Sequence, residues 1–238
     1  MQFGKLTEKR ELQWLLLLNF FLDIMDAAYY SEISLPVNHI RLVGELCMPP
    51  RAKALIIFSQ NSGSNRFNGH NRQVAAYLQD RNFGTLLFDL LTPDEFQKKI
   101  DIDLLTKRLI EVTQFIESLS GTKHIPIGYY GGSIGAAAAL KAALKQPQIF
   151  CVVAKAGRLD LVDADLEKVN TPVLLIVGAF DAKTLGLNQA AFQKLQCEKK
   201  LEIVARASHT FEELGVMEKV AELATAWFKS YLPVKITI

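Results

Sequence analysis

The residues best equipped for chemistry lie in Gly131-Gly132-Ser133-Ile134-Gly135, a G-x-S-x-G string with an apolar run before it (125–130) and an alanine-rich stretch after it (134–144). A strand that becomes a helix within about one residue holds such a serine in a strained backbone conformation and pushes its hydroxyl outward, forming a nucleophile elbow. A side chain at Gly131 or Gly135 would collide with the adjoining backbone, and Gly132 eases the turn further. A serine hydroxyl is a poor nucleophile near neutral pH. It needs a base within hydrogen-bond reach, and the base needs a carboxylate to orient it.

Of the four histidines, His39, His70, His124 and His209, only His209 follows Ser133 in the chain. It sits just past the apolar run 201–204, where the order nucleophile, acid, base would place the base. Asp181 ends the string that runs from Val173 through Gly178 and is the expected acid. Asp160 and Asp163, behind the preceding apolar run, are its rivals, and any aspartate behind a strand also reads as a helix cap. The charge that develops on the attacked carbonyl oxygen needs two backbone N–H donors. One is expected from Ile134, next to the nucleophile. The other is expected from Ser62, in the polar loop 60–66.

The surrounding pattern supplies elements to hold these groups. Residues 29–37 and 39–48 alternate and stop at Pro49-Pro50, as an antiparallel pair would. Short apolar runs follow at 54–59, 84–88, 125–130, 150–154, 173–177 and 201–204. Continuously apolar strands are buried on both faces, so these predict a mostly parallel sheet covered by helices on both sides. Helices are expected at 69–81, 101–119, 134–144, 187–195 and 211–231. The alternation is that of an α/β layer, read as one domain over 29–238. Only a short segment, 160–170, follows the 150–154 strand, which leaves little room for a lid and implies a shallow site. Arg158 and Asp160 are expected to pair with each other. Glu212 and Glu213 would suit the first turn of the last helix.

With 27 Lys and Arg against 25 Asp and Glu, the chain carries a net charge of +2 and shows no electrostatic footprint for nucleic acid. Half its residues are hydrophobic, enough to fill a core. Cys47, Cys151 and Cys197 are widely spaced and form no metal-binding pattern, which fits a reduced, cytoplasmic chain. Residues 1–28 read as a separate apolar or amphipathic helical extension. Its core, Trp14 to Met25, is broken by Asn19 and Asp23 and is shorter than the ~20 apolar residues a membrane span requires. A secretory leader is argued against by Glu8 and Glu11 and by the lack of a small-x-small cleavage site. The other reading is a helix packed on the domain, on a membrane surface or on a second subunit, which makes an oligomer through this helix an open reading.

In several strings the chain resembles the dienelactone hydrolase-like family of the α/β-hydrolase superfamily, in its serine-nucleophile branch. The resemblance is carried by 58–66 (FSQNSGSNR), Asn71-Arg72, 85–92 (TLLFDLLT), 131–140 (GGSIGAAAAL), 156–161 (AGRLDL), 175–181 (LIVGAFD) and 207–213 (ASHTFEE). It implies an α/β-hydrolase fold and a hydrolase without metal or organic cofactor. It puts the triad on Ser133, Asp181 and His209, as the residues themselves do. The expected substrate is a small ester, thioester or lactone. Two departures stand out. Gln60-Asn61 replaces the usual His-Gly of relatives, and Ser133 stands where the name-giving enzymes use cysteine. The first departure, with the apolar N-terminal stretch, motivates a rival reading of a catalytically weak or inactive fold used for binding. Acyl transfer to an acceptor other than water would use the same residues as hydrolysis.

Overall fold

The structure, a computed structural model, describes residues 29–59, 66–95 and 101–234. The expected N-terminal helix within 1–28 lies outside the described residues, as do Ser62 and the Gln60-Asn61 pair.

Eight strands form one sheet in the order β1-β2-β4-β3-β5-β6-β7-β8. β1 (Tyr29–Val37) and β2 (Ile40–Met48) are an antiparallel hairpin, closed by a two-residue turn with Asn38 in the left-handed region at φ 49°. Asparagine tolerates that conformation better than most residues. β2 pairs antiparallel with β4 (Gly84–Phe88). β3 (Leu55–Ser59), β4, β5 (Ile127–Gly132), β6 (Val152–Lys155), β7 (Val173–Gly178) and β8 (Lys199–Val204) all run parallel. Every residue of β3, β4 and β7 is buried, as a two-sided cover demands.

Because side chains alternate along a strand, each one feeds two cores. On one face Leu55, Ile57, Tyr129 and Leu175 pack with α2 (Ile102–Ser118), α3 (Ile134–Lys145) and α4 (Ala182–Lys194). On the other face Ile56, Phe58, Tyr130 and Ile176 pack with α1 (Gly69–Gln79) and α5 (Val216–Ser230). Ala136, Ala137, Ala138 and Ala139 are all fully buried, so the helix behind the elbow lies close against the sheet. Asn68 caps α1 by accepting the Asn71 N–H, and Asp101 caps α2 by accepting those of Asp103 and Leu104.

Two expected helices begin elsewhere. α4 starts at Ala182 rather than 187, because Asp181 caps it and accepts the Thr184 N–H at 3.2 Å. α5 starts at Val216 rather than 211. Glu213 therefore lies before the helix, where it accepts the Ser208 N–H at 2.9 Å. The segment after β6, Leu159–Lys168, forms short 3-10 turns on either side of a kink at Val162. No helix among the described residues is long and apolar enough to cross a membrane. Cys47 and Cys151 are buried, Cys197 is half-buried, and all three are free thiols.

Candidate active site

Ser133 stands between the end of β5 and the start of α3 at φ 51°, ψ −118°. Such a conformation costs a non-glycine residue roughly 1–3 kcal/mol and persists only where its surroundings enforce it. Here the turn after β6 grips both ends of the residue. The Ser133 N–H donates to the Lys155 carbonyl at 2.9 Å, and the Arg158 N–H donates to the Ser133 carbonyl at 3.0 Å. The flanking glycines are required as expected. A Cβ on Gly131 would lie 2.6 Å from the Ala136 Cα, and one on Gly135 would lie 2.1 Å from the Ser59 carbonyl oxygen. Gly132 differs: the nearest atom to a Cβ there is the Lys155 Cε, at 4.0 Å.

The acid and base candidates sit on the same edge of the sheet. β5, β6, β7 and β8 are consecutive neighbours and parallel, so Ser133 after β5, Asp181 after β7 and His209 after β8 all leave their strands at the C-terminal edge. The loops after β7 and β8 are joined directly, the Phe180 N–H donating to the Ala207 carbonyl at 2.9 Å. His209 Nδ1 and Asp181 Oδ2 are hydrogen-bonded at 2.5 Å. With Nδ1–H donating to the carboxylate, Nε2 carries the free lone pair. The Asp181 side chain is only 10% exposed, whereas the imidazole is 54% exposed. Burial pushes the Asp181 carboxyl up, but hydrogen bonds from the Thr184 hydroxyl, from His209 and from the Thr184 N–H outweigh it and hold the carboxyl below its ordinary value. Asp181 is thus an anion fitted to hold one imidazole tautomer.

The structure thus joins Asp181 to His209 and brings Ser133 to the same edge. It forms no hydrogen bond between Ser133 and His209, both of them described residues. The rival Asp160 is bound to Arg158 through two hydrogen bonds of 2.8 Å, the expected pair, and is not bonded to the imidazole. Asp163 is held by Lys194. Ile134 opens α3, and no backbone carbonyl of the described residues takes its N–H. Among the described residues that N–H is unclaimed, and it lies at the positive end of a helix dipole.

Sequence reasoning missed Thr184. Its hydroxyl lies 3.4 Å from His209 Nδ1, and its N–H donates to Asp181 Oδ1 at 3.2 Å. The signal was present as Asp181-x-x-Thr184, an N-cap spacing read there only as an alternative to acid chemistry. Asn188 was missed too. Fully buried on α4, its Nδ2 donates to the Gly157 carbonyl at 2.8 Å and fixes the helix behind Asp181 to the turn that grips Ser133. An open groove of about 950 Å³ lies between β8 and the start of α5, lined by Phe180, Val204, Arg206, Leu214 and Val216 among others. None of its lining residues comes from β5 or the elbow. Among the described residues no three His, Cys, Asp or Glu side chains gather where they could hold a metal ion.

This sheet order, with a serine elbow after β5 and an aspartate–histidine pair after β7 and β8, is that of an α/β-hydrolase. A dienelactone hydrolase from Anabaena variabilis ATCC 29413 superposes with a TM-score of 0.83 and is 39% identical, over 87% of this chain and 99% of that one. The chain belongs to the dienelactone hydrolase family of this fold. Est1E from Butyrivibrio proteoclasticus (TM-score 0.73, 16% identity, 84% of this chain and 98% of that one) shares the fold. So does the esterase domain of a Rhodothermus marinus protein (0.72, 15%, 86% and 100%). No family model matches the sequence. In Mycobacterium tuberculosis H37Rv a protein named "Putative phosphoribosyl transferase" is 40% identical over 206 residues, which are 85% of this chain and 46% of that protein. The chain therefore spans about half the length of the curated relatives it matches.

Proposed function

We propose that the chain is a serine hydrolase that cleaves a small ester, thioester or lactone through an acyl-enzyme. The observation that carries this reading is the Asp181–His209 hydrogen bond, on the same sheet edge as a strained serine elbow. In this reading His209 Nε2 takes the proton from the Ser133 hydroxyl as its oxygen attacks the acyl carbon. Asp181 keeps Nδ1 protonated and stabilises the imidazolium that forms. The Ile134 N–H, and a second donor assigned to Ser62, hold the oxygen of the tetrahedral intermediate. The imidazolium then returns its proton to the leaving group. Water attacks the acyl-enzyme with His209 again as base, releasing the acid and restoring Ser133. Hydrolase relatives and the family membership support this chemistry. The phosphoribosyl transferase name belongs to a protein about twice as long and is not carried over.

What stands around the elbow supports a small or surface-presented substrate. The segment after β6, Leu159–Lys168, is two short 3-10 turns that meet at a kink at Val162, with Leu159, Val162 and Leu166 buried. It lies down on the fold instead of rising as a lid, which suits a small substrate or a group presented at a surface. Wild type and Ser133→Ala assayed on short-chain p-nitrophenyl esters test the proposal. Turnover by wild type that falls at least about 1,000-fold in the variant is expected for loss of the nucleophile. Equal turnover by both would overturn it.

A further inference from the structure

Among the described residues, four of the six non-glycine residues with positive φ cluster at the C-terminal edge of the sheet: Ser133 (51°), Ala156 (46°), Arg206 (61°) and Phe211 (60°). Asn38 and Asn82, the other two, are of the type that suits ordinary turns. Arg206 and Phe211 bracket His209, so the loop that presents the imidazole is strained on both sides. A bulky residue such as phenylalanine is an outlier at positive φ and needs its surroundings to hold it there.

Lys155 touches this cluster at three points. Its carbonyl receives the Ser133 N–H at 2.9 Å. It pairs with Gly132 across β5 and β6, and its stem passes the elbow there. Its ammonium stands 4.5 Å from the centroid of the Phe211 ring, which is fully buried. That distance is within cation–π range. Lys155 takes part in no ion pair among the described residues. Burial pushes its pKa down to about 8. A half-buried lysine with no carboxylate beside it, its ammonium over an aromatic face, is a candidate for a role beyond stability.

We infer that Lys155 is a positioning residue: through its contact with Phe211 it clamps the loop carrying His209 to the turn that grips Ser133, and so sets where the imidazole stands relative to the hydroxyl. The inference rests on the hydrolase reading for its consequence in catalysis, but not for the clamp itself. Both can be read on the full chain. Hydrogen exchange over 205–213 reports the clamp, and kcat and KM on p-nitrophenyl acetate report its use. In Lys155→Ala, exchange over 205–213 is expected to speed up about tenfold while the rest of the chain is unchanged. The same variant is expected to lose about 10- to 100-fold in kcat with KM within about twofold, because substrate contacts remain while alignment is lost. Lys155→Arg keeps a cation over the ring and is expected to restore both readouts to within about threefold. Phe211→Leu removes the other half of the contact and is expected to match Lys155→Ala, which covers a folding failure of either variant. Unchanged exchange in Lys155→Ala, or a loss that arginine does not rescue, overturns the inference. Faster exchange in a protein whose wild type turns over no ester leaves the clamp standing and removes the hydrolase reading instead.

Discussion

At the scale of single residues, the site is an acid–base pair whose members are held unequally. Asp181 is buried and receives hydrogen bonds from Thr184 and His209, whereas the imidazole is half in solvent. The carboxylate therefore sets the position of the imidazole. Asp181→Asn keeps the shape but favours the wrong tautomer, so kcat on a p-nitrophenyl ester is expected to fall by at least about 1,000-fold. Thr184→Val removes the hydroxyl beside His209 Nδ1 and nothing that contacts substrate, so kcat is expected to fall about 3- to 10-fold with KM unchanged. A loss in Thr184→Val as deep as in Asp181→Asn would mean that the threonine does more than orient. The meeting of Ser133, Asp181 and His209 at one sheet edge was legible in the sequence because each combines a reactive side chain with a distinctive place, after an apolar run and in one chain order. Thr184 and Lys155 were not, because a threonine one turn into a helix and a lysine at a strand end are ordinary. Only the fold shows what they face.

At the scale of elements, the elbow is a matter of approach distance. Gly135 lets the first turn of α3 lie against the end of β3, and a methyl group there would meet the Ser59 carbonyl oxygen at 2.1 Å. Gly135→Ala is expected to destabilise the fold by more than about 3 kcal/mol, since backbone on both sides must move. Urea unfolding measures this. Gly186, exposed within α4 with nothing within 4 Å of a Cβ, is the contrast. There Gly186→Ala is expected to raise the midpoint by the equivalent of about 0.5–1 kcal/mol, from helix propensity alone. The strands and long helices were legible from period and apolar runs. The starts of α4 and α5 were not, because they depend on capping: Asp181 caps α4 while it also binds His209, and Glu213 turns back to bind the Ser208 N–H.

At the scale of the whole molecule, two apolar layers enclose one sheet, and few buried charges cross between its parts. Among the described residues the most deeply held is Arg108 on α2, which donates to the Leu90 carbonyl and, with two 2.7 Å bonds, to the Glu95 carboxylate in the loop after β4. Chiefly through that guanidinium, the Glu95 carboxyl is held down at about 2. A carboxyl lowered on folding adds stability above its unfolded value, near 4.5, and loses it as pH falls toward 2. The contribution at neutral pH is on the order of a few kcal/mol. Glu95→Gln is therefore expected to unfold more easily at pH 7 and to show a flatter stability curve between pH 4.5 and 2, as followed by circular dichroism in urea. Identical acid limbs would remove this pair from the account. The two-faced cover of the sheet was legible at this scale from continuous apolar runs. The Glu95–Arg108 tie was not, because its partners belong to different elements.

What the account requires above all is that Ser133 be activated by the imidazole on the neighbouring loop. The rate at which a fluorophosphonate modifies Ser133, located by peptide mass spectrometry in wild type and in His209→Gln, measures this directly. The account predicts modification of wild type at Ser133 alone, and a rate at least about 100-fold slower in the variant. Equal rates in the two proteins, or a wild-type Ser133 that the probe leaves untouched, would contradict it.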